Sequence, residues 1–98
     1  MTITKNQDGA TLTVALEGRL DTTTAPDLEG ELATSLEGIT ELYFDFQGLE
    51  YISSAGLRVL LGTQKTMNKQ GSMVIRNANS DICEVFEITG FADILTLE

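Results

Sequence analysis

Histidine and tryptophan are absent from this sequence, and cysteine and proline occur once each. Without histidine the chain lacks the commonest general base and the commonest metal ligand. A single cysteine, Cys83, excludes both a disulfide framework and a cysteine-rich zinc site within one chain; beside Ile82 it reads as a small structural residue. Cations are scarce: 6 Lys and Arg stand against 15 Asp and Glu, a formal charge of -9. That balance argues against nucleic acid, whose backbone is bound mainly through Lys and Arg, and against anionic membrane surfaces. It favours a basic protein partner. No apolar run approaches the roughly 20 residues of a membrane span, and the opening "MTITKNQDGA" lacks the apolar core of a signal peptide. The expectation is a cytoplasmic protein with no metal and no cofactor. An enzyme would have to draw its acids and bases from carboxylates and lysines alone, and no paired set stands out.

What remains is an ordinary globular composition. The 98 residues are 42% hydrophobic and 21% charged, which predicts one domain over residues 1–98. A chain of this size buries roughly 60–65% of its unfolded surface, enough for one core.

Strands are predicted at 2–6 and 11–17, where Leu12, Val14 and Leu16 alternate with Thr11, Thr13 and Ala15. Asp8-Gly9 between them signals an antiparallel hairpin. A helix follows, with Thr24 as N-cap, Asp27 in capping-box position and Pro26 in the first turn. Its stripe is Leu28, Leu32 and Leu36, and Gly38 stops it. "ELYFDFQGLEYI" is the best buried strand, with Leu42, Phe44 and Phe46 facing one way and Tyr43 and Asp45 the other. The segment from Ser53 to Gly71 reads as a helix with Leu57, Leu60, Leu61 and Met67 inward, and with Lys65 and Lys69 where cations suit the helix dipole. "SMVIRNA" is a strand. "SDICEVFEITG" is a short helix capped by Ser80 with Ile82, Val85 and Phe86 inward, and "FADILTLE" is a last strand or tail. The order β-β-α-β-α-β-α-β predicts an α/β fold with a mainly parallel mixed sheet and right-handed crossovers.

The join "ISSAGLR" carries the most chemistry. With Ser53 as N-cap, Ile52 and Leu57 fall on the two positions of a hydrophobic staple. Ser53 is then occupied in capping, and Ser54, the first helical residue, projects toward solvent at the positive helix end, a position receptive to a phosphate. Ala55 and Gly56 leave space for another protein's active site to reach it.

Three stretches resemble the STAS domain family, in particular its single-domain bacterial anti-sigma factor antagonists: "GRLDTTTAPDL", "FDFQGLEYISSAGLRVLL" and "VFEITGF". The resemblance spans nearly the whole chain, and the middle stretch is its most specific part. It implies the STAS fold and a partner-switching role. The unphosphorylated protein binds an anti-sigma factor that is also a serine kinase of the ATP-binding GHKL type, and a sigma factor is freed. Phosphorylation of a loop serine breaks the complex, and a metal-dependent serine phosphatase resets it. Aligned on Gly56-Leu57, the family's Asp falls on Ser53, its first Ser on Ser54, and its usual phosphoacceptor on Ala55. Alanine cannot accept phosphate, so the acceptor moves to Ser54, or to Ser53 as second choice, or the protein is a constitutive interaction module without a switch. Partner contacts are expected from Asp21, Thr22, Ser53, Ala55, Gly56, Leu57 and Arg58. A transport accessory is a third reading, for which the sequence offers no membrane linker.

Overall fold

The computed structural model describes residues 1–98. The alternating runs become the strands β1 (Thr2–Asp8), β2 (Thr11–Leu20) and β3 (Glu41–Ile52), joined by the shorter β4 (Ser72–Arg76) in one sheet of order β1-β2-β3-β4. The hairpin pairs β1 with β2 antiparallel, turning through Gly9 at φ +62. The pairs β2–β3 and β3–β4 are parallel, as expected for strands joined through helices. Helix α1 (Ala25–Ser35) connects β2 to β3, α2 (Ser54–Gln70) connects β3 to β4, and α3 (Ser80–Thr89) follows β4.

The inward residues of the sheet and all three helices form one hydrophobic cluster, with Val14, Leu16, Phe44, Phe46, Leu60 and Phe86 fully buried. The opposite sheet face carries the half-buried row Thr13, Tyr43 and Val74, with Arg76 stacked 4.1 Å from the centre of the Tyr43 ring.

Four local expectations change. Helix α3 is capped by Asn79, not Ser80: Asn79 Oδ1 accepts from the Ile82 N–H at 2.8 Å. Both residue types cap well, and the extended backbone of Asn79 fixes the choice. Thr24 occupies the N-cap position of α1 but makes no cap bond. Its hydroxyl donates to the Arg19 carbonyl at 2.8 Å and accepts from the Asp21 N–H at 2.9 Å. On α2, Val59 is buried and Leu61 only half-buried, because the helix packs against α1 as well as the sheet: Val59 lines a groove shared with Leu32, Ala33 and Leu36. The last segment forms a 3₁₀ turn (Phe91–Asp93) and then a single parallel bridge from Leu97 to Ile75 rather than a strand.

Candidate functional site

The parallel register brings the ends of β2 and β3 side by side, Arg19 opposite Tyr51 and Leu20 opposite Ile52. The Ser53 N–H donates to the Leu20 carbonyl at 2.9 Å, which ties the two exits together. Helix α2 starts immediately, with the Leu57 N–H donating to the Ser53 carbonyl at 3.0 Å. Ile52 and Leu57, the predicted staple pair, are both buried. Gly56 makes the close approach possible: a β-carbon there would meet Leu20 Cγ at 2.7 Å and Ile52 Cγ1 at 2.9 Å.

The serines differ, though not in the expected way. Ser53 has the extended backbone of an N-cap, φ -103 and ψ 177, but its side chain makes no cap bond. Its Oγ is buried and has no hydrogen-bond partner. The capping role assigned to it therefore fails, because the hydroxyl is enclosed rather than directed along the first turn. The first-turn amides of a 17-residue helix are left without a side-chain acceptor, at the end where the dipole is positive. Ser54 is the first helical residue and is exposed, as expected.

The loop after β2 is a self-contained turn. Asp21 Oδ1 accepts from the Thr23 N–H at 3.0 Å and the Thr24 N–H at 3.1 Å. The Thr24 N–H is the main reason the Asp21 carboxyl is held below its ordinary value of 3.8; partial burial opposes this, and the Thr23 N–H, the Thr24 hydroxyl and the Arg19 charge add to it. Asp21 thus holds the loop together through its own carboxylate. Thr22 is exposed at its tip.

Thr22, Ala25, Pro26, Glu29, Ala55, Arg58 and Val59 line one cleft of about 180 Å³, below the roughly 300 Å³ at which small-molecule sites begin. The structure thus gathers Thr22, Ala55 and Arg58 in one cleft; Ser54 is the exposed residue that precedes Ala55 in the chain. It does not present Gly56 or Leu57, which are buried and shape the site from beneath.

Sequence reading missed Arg19 and Tyr51. The Arg19 guanidinium lies 4.1 Å from the centre of the Tyr51 ring, and its Nε is 3.7 Å from Asp21 Oδ2. Only the cross-strand register brings them together; two residues 32 apart leave no local signal. Charge is also segregated. Helix α2 carries Arg58, Lys65 and Lys69 and no acid, whereas α1 (Asp27, Glu29, Glu31) and α3 (Asp81, Glu84, Glu87) carry no base. The three ion pairs, Lys5–Glu31, Arg19–Asp21 and Arg76–Glu98, use none of the α2 cations.

Residues 2–98 match the profile of the STAS domain. This chain belongs to the STAS domain family. Among curated relatives, BtrV of Bordetella bronchiseptica, provisionally named an anti-sigma factor antagonist, is 38% identical over 96 residues, covering 96% of this chain and 83% of that one. The anti-sigma-B factor antagonist of Bacillus subtilis is 33% identical over 85 residues, covering 86% of this STAS domain and 78% of the relative. Among solved structures, the Bacillus cell fate determinant SpoIIAA in its phosphorylated form superposes with a TM-score of 0.77 over 99% of this chain and 91% of that one. At 18% identity that likeness is one of fold. The mixed sheet and helix order of this STAS domain are those expected. No helix is long and apolar enough to cross a membrane.

Proposed function

We propose that this STAS domain, acting as one unit over residues 1–98, is an anti-sigma factor antagonist that works by partner switching. In the unmodified state it binds an anti-sigma factor through the cleft lined by Thr22, Ala55 and Arg58, and a sigma factor is freed. The partner is a serine kinase of GHKL type. In the kinase step the γ-phosphoryl group of ATP passes to Ser54 Oγ: a P–O bond forms as the bond to ADP breaks, ADP departs, and the hydroxyl proton goes to a base of the kinase. A serine phosphatase reverses the modification. The chain itself is a regulator and not an enzyme, working in the cytoplasm, and both ATP and catalysis belong to its partners.

The observation that carries this reading is the contrast between the two serines. Ser54 is exposed at the uncapped, positive end of α2, while the Ser53 hydroxyl is enclosed. An anion at Ser54 meets favourable backbone electrostatics, yet adds about -1.5 to -2 charges to a surface meant to contact a partner. Incubation with the cognate kinase and ATP, followed by mass spectrometry, tests the assignment. Modification confined to Ser54 is expected; modification of Ser53 alone, or none, overturns it.

A second reading rests on Ala55. The residue at the family's acceptor position lines the cleft, and Ser54 is one residue away, about 100° around the helix. A constitutive interaction module without a switch would tolerate that displacement, and its partner affinity would be unchanged by Ser54→Asp.

A further inference from the structure

We infer that Arg58 is the internal counter-charge for a phosphate on Ser54, so that modification withdraws a cation from the binding surface as well as adding an anion to it. The inference rests on Ser54 being the acceptor, as proposed above. Three independent observations support it. Ser54 and Arg58 are four residues apart within α2, the spacing at which helix side chains are neighbours, with β-carbons roughly 5–6 Å apart. Arg58 is exposed and belongs to none of the ion pairs of the structure, although Glu29 lines the same cleft. The neighbouring Ser53 hydroxyl, buried and unpartnered, supplies no cap to the first turn, so it does not compete for the first-turn amides that a phosphate would meet.

A guanidinium matches a phosphate in geometry as well as in charge, offering two parallel N–H donors. Before modification Arg58 is free for an acidic group on a partner. After it, the phosphate one turn back along the helix is a permanent competitor at far higher local concentration. The cleft then loses its one lining cation, and a dianion stands one helical turn away. A partner that bound through Arg58 meets both changes at once.

The test needs neither kinase nor partner. Phosphoserine is incorporated at position 54 of the full chain during translation, in the native sequence and in Arg58→Gln and Arg58→Lys variants. The second ionisation of the phosphate is followed by ³¹P NMR against pH, with amide spectra confirming that each chain is folded. An adjacent guanidinium favours the dianion, so the native midpoint should lie below that of Arg58→Gln by about 0.3 of a pH unit or more. Arg58→Lys should keep part of that shift, and about 1 M salt should shrink it. Equal midpoints in all three folded chains would overturn the pairing. Because the phosphate is installed without a kinase, that result would refute the role of Arg58 alone, whereas the acceptor assignment stands or falls on the mass spectrometry.

Discussion

Gly56 rests directly on Leu20: the first turn of α2 lies so close to the end of β2 that a β-carbon at 56 would come within 2.7 Å of Leu20 Cγ and 3.0 Å of its Cδ2. Leu20 is fully buried, so it cannot swing aside freely. The position of Ser54 relative to Thr22 therefore depends on a buried glycine.

Gly56→Ala should lower stability. Alanine gains about 1 kcal/mol of helix propensity over glycine, but forcing an atom into this contact costs about 1–3 kcal/mol. Urea unfolding should show a net loss with an unchanged slope. A gain in stability would mean that Leu20 and Ile52 can yield.

Ser54→Asp should weaken binding to the cognate anti-sigma factor at least tenfold, which corresponds to about 1.4 kcal/mol, whereas Ser54→Ala should bind normally and escape phosphorylation. Calorimetric titration of both variants distinguishes the switch from the constitutive module.

The cap of α3 can be read by a pair of substitutions. Asn79→Ala removes the bond to the Ile82 N–H and the donation from Nδ2 to the Leu49 carbonyl at 3.2 Å. A loss of about 1–2 kcal/mol is expected. Ser80→Ala, one residue on, should lie within about 0.5 kcal/mol of native, as exposed substitutions usually do. The reverse order would restore Ser80 as the cap.

Acid should destabilise the domain partly through two carboxylates. Asp45 is held below 3.8 chiefly by the Asn77 side chain, then by the Gln47 N–H, with partial burial opposing and the Arg76 charge adding; Asp21 is lowered as described. A depressed native value means that the unfolded chain binds protons first as pH falls. The stabilisation is thus complete above about pH 4 and is lost as pH drops through the lower native value. Carboxyl NMR titration should place both groups below the ordinary aspartate value of 3.8, and Asp45→Asn should flatten the acid limb of the stability curve. An unaltered limb would remove Asp45 from the account.

Most of the architecture was legible because period-2 and period-4 patterns dominate it: Leu12, Val14 and Leu16, then Leu42, Phe44 and Phe46, then Leu28 and Leu32. What was not legible is what depends on direction rather than pattern. Asn79 and Ser80 are equally good caps on paper. Ser53 has the position of a cap without its hydrogen bond. Leu61 and Val59 exchange places because α2 faces two neighbours at once, and a single apolar stripe cannot express that. Arg19 and Tyr51 meet only through a parallel register set by bulges between Ala15 and Glu17 and between Gly18 and Arg19. The exposed place of Ser54 at the start of α2 was legible because the boundary of a helix is written locally, in "ISSAGLR".

The separation of charge among the helices gives the molecule an electric orientation. A cationic α2 beside an anionic α1 makes a permanent dipole across the rim of the cleft, superimposed on a strongly negative whole. Such a body turns in the field of an approaching partner before any atoms touch. For a partner that docks at this cleft, as proposed, the productive face would be selected in flight, which would raise the fraction of collisions that succeed and make the rate of encounter fall with added salt. A phosphate on Ser54 would blunt that dipole at its positive pole, so the switch would act on the approach as well as on the complex.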